Sequence, residues 1–272
     1  MADVIDRFDE KLVIYHIVDK YAAYEAEFES VYSANRRSLV EARERTLVRR
    51  ADLVLVTSKS LLAEKQRDNQ NTHWVPNAVD YEAFAQASLH PNPPADAAAL
   101  PTPIIGYVGA INEKLDYDLL AQVAGRFSDC SLMLVGPVDL RLDLSGLDKL
   151  DLPNVHFMGA KPVSQVARYM AACQVCLMPY KLNEWTAHIN PLKLFEYLAT
   201  GKPIVSTSIP AVSGLEDVVY IAQDNAEFGT LIQKALTQDN AHLARQRMEL
   251  AARNTWDDRV ERISSLIEAT PD

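Results

Sequence analysis

Short apolar runs alternating with longer helical stretches constrain the fold of this chain more than any other feature. Leu53-Val54-Leu55-Val56-Thr57, Pro103-Ile104-Ile105-Gly106-Tyr107-Val108-Gly109, Ser131 to Gly136, Val155 to Met158, Val175-Cys176-Leu177-Met178, Ile204 to Thr207 and Val218 to Ala222 are each short and nearly free of charge. Runs of that length and character belong to strands covered on both faces, as in parallel sheets whose crossovers are helices. Helical stretches lie between and after them, at about residues 28–50, 116–127, 163–171, 191–200, 226–237, 241–254 and 256–268. The repeated order of strand and helix predicts an α/β protein with doubly wound parallel sheets.

The chain has 272 residues, enough for two domains. Residues 88–103 hold Pro91, Pro93, Pro94, Pro101 and Pro103 among several alanines, the composition of an extended linker. The expected boundaries are therefore a first domain over 1–87, a linker over 88–103, a second domain over 104–254 and a terminal helix over 255–272. In the first domain Leu12 to Val18 reads as a buried strand delivering Asp19 at its carboxyl end, where ligands of open α/β sheets bind. An Asp that caps a loop is the alternative for that residue.

Net charge of −10 argues against nucleic acid as a partner, because such binding depends on cations that neutralise phosphates. The local cluster Arg36, Arg37, Arg43, Arg45, Arg49 and Arg50 suits either an anionic membrane surface or a solvated helix face balanced by Glu41 and Glu44. Cys130, Cys173 and Cys176 cannot all pair and sit in apolar runs, which suits a reducing cytoplasm and a structural role. No metal-ligand cluster is evident. No apolar run approaches membrane-spanning length.

The candidate site centres on Asn190-Pro191-Leu192-Lys193-Leu194-Phe195-Glu196-Tyr197-Leu198-Ala199-Thr200-Gly201. Asn190 can cap a helix, Pro191 suits its first position and Gly201 its end. Lys193 and Glu196 share one helix face, three residues apart. A lysine in the first turn conflicts with the positive end of the helix dipole, and a bound anion would resolve the conflict. Glu196, one turn deeper, could accept hydrogen bonds from hydroxyls attached to that anion. A solvated Lys–Glu pair is the ordinary alternative. Gly109 and Ala110, after the strand beginning near Ile104, would let backbone approach a phosphate closely.

The run from Pro191 through Ser206 resembles the nucleotide-sugar-binding segment of GT-B glycosyltransferases of the family 4 type, in particular bacterial polysaccharide transferases. Ala51 to Ser58, followed by Val75-Pro76-Asn77-Ala78-Val79-Asp80 and Phe84, resembles the end of the amino-terminal domain of that fold. The resemblance implies a complete carboxy-terminal Rossmann-like domain that binds the donor and an amino-terminal one that lacks its first part. It implies that Lys193 and the turn Gly109-Ala110-Ile111 face the diphosphate and that Glu196 faces the ribose. It implies that the turn Gly159-Ala160-Lys161 reads the nucleobase, with a plain turn as the alternative, and that His188, Asn190, Pro191 and Leu192 lie near the donor. His188 stands where many relatives have Glu. Asp19 is the candidate polar group on the acceptor side, and the loop Pro179 to Ala187 is a further sugar contact, with Trp185 equally readable as a packing anchor.

The implied activity is transfer of a sugar from a nucleotide diphosphate sugar to a glycan or lipid-linked acceptor with retention of configuration. No cofactor beyond the donor substrate is implied, and the expected place is the cytoplasm, with peripheral contact at the inner membrane. The other reading is an accessory nucleotide-sugar-binding fragment, active with a partner chain that completes the first domain.

Overall fold

The computed structural model describes residues 4–24, 31–139 and 145–270; the helical reading of residues 28–30 lies outside them. Among the described residues nine strands run parallel to their neighbours and form two sheets. β1 (Ile14–Ile17), β2 (Leu53–Val56) and β3 (Thr72–Trp74) make the first, in that order. The second contains β4 (Ile104–Val108), β5 (Ser131–Val135), β6 (Val155–Gly159), β7 (Val175–Met178), β8 (Ile204–Thr207) and β9 (Tyr220–Ala222), in the order β6-β5-β4-β7-β8-β9. The expected α/β, doubly wound architecture is what the chain adopts.

Two compact units divide the chain, and each is described by itself. The first comprises Met1–Asn77, Asn183–Pro191 and Trp256–Asp272, the second Ala78–Leu182 and Leu192–Thr255. In the first unit β2 shows why an unbroken apolar run forms a strand here. Val54 and Val56 pack with Ile17, Val48 and Leu61, while Leu53 and Leu55 pack with Val75 and with Ile263 and Leu266 of the Trp256–Ala269 helix. Alternate side chains thus fill two separate cores. β1 differs from the buried strand expected, since Ile14 and His16 are exposed and only Ile17 is fully buried. It is the edge of a three-stranded sheet, so apolar composition is not matched by cover on both faces.

The proline-rich segment is not an extended linker. Tyr81–Leu89 is a helix capped by Asp80, and Ala95–Ala98 is a short helical turn whose Ala97 is fully buried. Asp96 accepts hydrogen bonds from Lys161 Nζ at 2.7 Å and Tyr169 Oη at 2.8 Å, which fastens the segment to the second unit. The prolines fix the bends between short packed pieces rather than a free tether.

The expected basic face of the Val31–Arg50 helix is largely paired within the first unit. Arg37 meets Glu41 and Glu184, Arg49 and Arg45 meet Asp68, and Arg50 meets Asp6. Glu44 is turned inward onto Lys65 instead of balancing the arginines. All three cysteines are buried and unpaired with one another as disulfides. Among the described residues no helix is long and apolar enough to cross a membrane.

Candidate functional site

In the second unit the strand order reverses between β4 and β7, because β5 and β6 lie on one side of that pair and β8 and β9 on the other. Crossovers that leave in opposite directions open a crevice outside the carboxyl ends of such a pair. Gly109 follows β4 directly and Tyr180 lies two residues beyond β7. The Leu192–Thr200 helix, which leads into β8, carries Lys193 in its first turn and Glu196 one turn on.

These pieces meet at the Lys193 ammonium. Nζ donates to Tyr180 Oη at 3.0 Å and lies 4.8 Å from the Tyr107 ring centroid and 5.6 Å from that of Tyr180. Both tyrosines are buried. Ring faces and a phenol oxygen replace part of the water a lysine loses, which is how a cation can sit in a first turn that its helix dipole disfavours. Burial opposes the charge, but the tyrosine oxygens overcome it, and the pKa of Lys193 lies above the ordinary lysine value. Burial likewise pushes the Tyr107 phenol up against the lowering effect of Lys193, so the phenol stays neutral.

The turn after β4 is shaped around this cation. Gly109 has φ of +149°, and a Cβ there would stand 2.7 Å from Lys193 Nζ. Gly136, at φ +143°, avoids a Cβ 2.1 Å from the Gly109 carbonyl oxygen. Tyr107 Oη donates to Ala110 O at 2.9 Å. The three N–H groups expected to face a phosphate are not equivalent. That of Gly109 goes to Val135 O at 2.8 Å and that of Ile111 to Pro137 O at 2.9 Å, while the Ala110 N–H has no hydrogen-bond partner among the described residues. Ile111 is fully buried and forms a parallel bridge with Val138, which anchors the turn.

Glu196 is partly buried, and no hydrogen bond or ion pair holds its carboxylate among the described residues. Burial raises its pKa above the carboxylate norm, and Lys193 offsets part of that. Tyr197 on the same helix accepts the Val108 N–H at 2.9 Å, tying the helix to the end of β4. At the other end Gly201, φ +68°, closes the helix, and its carbonyl accepts from the fully buried Arg247 at 3.1 Å. Arg247 also pairs with Asp239 and donates to Val218 O.

The remaining expected residues lie elsewhere. In the second unit, Leu192 is exposed at the helix start, and Gly159, at φ +69°, ends β6 with its carbonyl accepting from Gly136 N at 2.9 Å. Ala160 is exposed, and the side chain of Lys161 is drawn to Asp96 and the Tyr169 ring rather than left to a ligand. His188, Asn190, Pro191 and Asp19 belong to the first unit. Asn190 Oδ1 accepts from the Asn77 N–H at 2.9 Å, so the side chain expected to cap the helix is engaged with Asn77. The helix begins one residue after Pro191. His188 Nδ1 is 2.8 Å from Glu184 O, and Nε2 is 3.8 Å from Glu64 Oε2. Asp19 sits at the bend after β1, partly buried. Trp185 is 7% exposed, in keeping with a packing anchor.

Glu184 fastens the Asn183–Pro191 segment within the first unit, taking both terminal nitrogens of Arg37 at 3.0 and 2.8 Å and lying 3.3 Å from Lys20 Nζ. Tyr180 and Glu184 fall in the loop expected to touch the sugar, whereas Tyr107 and Arg247 carry no separate signal in the sequence. For Tyr107 the available signal was position alone, near the carboxyl end of an apolar run. Among the described residues no group of three or more His, Cys, Asp or Glu is arranged to hold a metal ion.

A parallel α/β unit with a cation and a helix amino terminus at its switch point, accompanied by a smaller parallel unit, defines a GT-B-like glycosyltransferase architecture. Sucrose-phosphate synthase from Thermosynechococcus elongatus shares the fold with a TM-score of 0.69 and 21% identity, over 94% of this chain and 67% of that one. Anabaena HepE in complex with UDP and glucose does so at 0.69 and 16%, over 94% and 71%. OtsA in its apo form gives 0.72 and 13%, over 99% and 76%.

Residues 102–238 match the family Glycosyl transferases group 1, and the chain belongs to that family. TuaH of Bacillus subtilis (strain 168), named as a candidate teichuronic acid biosynthesis glycosyltransferase, is 31% identical over 195 residues, 69% of this chain and 48% of its own length. The chain thus spans about half the length of that curated relative.

Proposed function

We propose that the chain carries the donor side of a retaining glycosyltransferase of the family 4 type. It would move a sugar from a nucleoside diphosphate sugar to a glycan or lipid-linked acceptor in polysaccharide assembly. The observation that carries this reading is the Lys193 ammonium, held charged by Tyr107 and Tyr180 beside the Gly109-Ala110 turn at the switch point. The UDP and UDP-glucose complexes of Anabaena HepE favour a uridine donor, and the name of TuaH favours a cell-envelope polysaccharide.

In the proposed reaction the bond between the anomeric carbon and the β-phosphate oxygen breaks, and charge grows on the leaving diphosphate. Lys193, the first-turn N–H groups of the Leu192–Thr200 helix and the Ala110 N–H offset that charge. Glu196 accepts from the ribose hydroxyls and fixes orientation. The acceptor hydroxyl bonds to the anomeric carbon from the face the phosphate leaves, and its proton passes to a phosphate oxygen. The exposed turn at Gly159 and Ala160 contacts the base, and the exposed Leu192 lies beside the sugar. On the first unit, Asp19 serves the acceptor, and His188, Asn190 and Pro191 belong to the donor-side segment.

A second reading is favoured by β1, an exposed edge in a three-stranded sheet. The chain would then bind nucleotide sugar and transfer it only with a partner chain that completes that sheet. Incubation with UDP- and GDP-hexoses, followed by nucleotide release and by NMR of the product anomer, separates the readings. Turnover with retained anomeric configuration supports the first, binding without turnover supports the second, and an inverted product contradicts the retaining assignment.

A further inference from the structure

We propose that Tyr107 is a positioning residue whose phenol ties the Lys193 ammonium to the Gly109-Ala110-Ile111 turn, so that cation and turn present themselves together to one diphosphate. This rests on the donor-site reading above and adds a residue to it. Tyr107 is 1% exposed, and its Oη donates to Ala110 O at 2.9 Å. The same phenol is a side-chain hydrogen-bond partner of both Tyr180 and Lys193. A carbonyl only accepts, so the one hydrogen of Tyr107 goes to Ala110 and its oxygen accepts from the other two. Tyr180 in turn accepts from Lys193 Nζ at 3.0 Å. The order of donation is therefore fixed: the ammonium to both phenols, Tyr180 to Tyr107, and Tyr107 to the turn.

The far end of this relay holds the backbone. The Ala110 carbonyl shares its peptide with the Ile111 N–H, which donates to Pro137 O at 2.9 Å, so that peptide is gripped on both edges. On the other side the Gly109 N–H donates to Val135 O at 2.8 Å. The Ala110 N–H lies between two fixed peptides, and its direction is set by them. Hydrogen bonds in series with a charged donor polarise one another, which stiffens the whole chain of groups.

Gly109 leaves room for the link. A Cβ there would stand 2.7 Å from Lys193 Nζ and 3.3 Å from Tyr107 Oη, so the two polar groups occupy the space a side chain would take. The separation of the ammonium from the turn is then set by a buried phenol bonded to both. An anion of two linked phosphates that met a loose turn would have to order it on binding, at a cost in affinity.

Calorimetric titration with inorganic pyrophosphate and with UDP tests the assignment in wild type, Tyr107→Phe, Tyr180→Phe, Lys193→Ala and the Lys193→Ala/Tyr107→Phe double variant, with thermal melting of each to confirm folding. Phenylalanine keeps the ring beside the ammonium and removes only the link. Tyr107→Phe should lose roughly tenfold in affinity for both ligands, and Tyr180→Phe should lose less, because Tyr107 still joins Lys193 to Ala110. In the Lys193→Ala background Tyr107→Phe should cost no more than about threefold, since a link between two groups matters little once one is gone. Hydrogen exchange of the ligand-free Tyr107→Phe should quicken in the segment holding Gly109, Ala110 and Ile111 and stay unchanged in β7 and β8. Equal affinity of wild type and Tyr107→Phe, equal losses in the two backgrounds, or faster exchange throughout the unit overturns the assignment and leaves the donor reading to stand. Tyr107-dependent pyrophosphate binding without UDP binding keeps the link and overturns the donor reading. Wild type that binds neither ligand overturns both. Should Tyr107→Phe fail to fold, Tyr180→Phe with and without Lys193→Ala carries the same comparison, and equal losses in the two backgrounds again overturn the assignment.

Discussion

Glu196 is where stability and function pull apart. Burial raises its pKa, so its charged form is disfavoured in the folded protein. A raised carboxylate contributes stability that is full below its unfolded pKa and is lost as pH rises through its folded one. At pH 7, Glu196→Gln should therefore melt no lower than wild type and, on this sign, somewhat higher. The same change should weaken donor binding by about 1.5–3 kcal/mol, because a neutral amide replaces a charged acceptor. Wild-type affinity should fall on acidification at a pH above the usual carboxylate range, and the Gln variant should be flat there, as read by titration across pH. Gly109 makes the complementary case. Gly109→Ala brings a Cβ within 2.7 Å of Lys193 Nζ and forces a side chain onto φ of +149°, which should cost about 1–3 kcal/mol in denaturant unfolding and displace the ammonium. Lys193 and Glu196 could be chosen from sequence because a first-turn lysine contradicts the helix dipole. Tyr107 could not, because an aromatic within an apolar run looks like core until its contact with the ammonium is seen.

The Leu192–Thr200 helix is fixed at both ends by residues distant in sequence. Tyr197 meets Val108 of β4, and Arg247 meets the Gly201 carbonyl while pairing with Asp239. Arg247→Ala should cost about 3–5 kcal/mol by leaving Asp239 and two carbonyls without their donor, measured as a shift in urea midpoint at unchanged slope. Donor affinity should fall with it, since the helix carrying Lys193 loses its terminal anchor. Element positions were readable wherever strand length and continuous apolarity coincided: β7 and β8 have the bounds the sequence indicates. The proline-rich segment misled because composition reports chain stiffness and not contacts. The Asp96 pairings that fasten it come from residues more than sixty positions away. β1 misled for the opposite reason, since an apolar run says nothing of whether a second strand lies beside it.

At the scale of the molecule, the first unit adds a charge network to its apolar cores. Glu64 belongs to that network. Burial opposes its ionisation, but the ammoniums of Lys65 and Lys20 outweigh it and bring its pKa down to about 2. A lowered carboxylate contributes stability above its unfolded value of 4.5 that is lost as pH falls through its folded one. Acid should therefore loosen the first unit between about pH 4.5 and 2, and Glu64→Gln should flatten that loss, as followed by fluorescence or hydrogen exchange in segments of that unit. The central claim concerns the second unit, that Lys193 and Glu196 hold the diphosphate and ribose of a sugar donor. Calorimetric titration of wild type, Lys193→Ala and Glu196→Ala with UDP tests it most directly. Binding by wild type that each substitution weakens by tenfold or more is the predicted result, and equal binding by all three would contradict it.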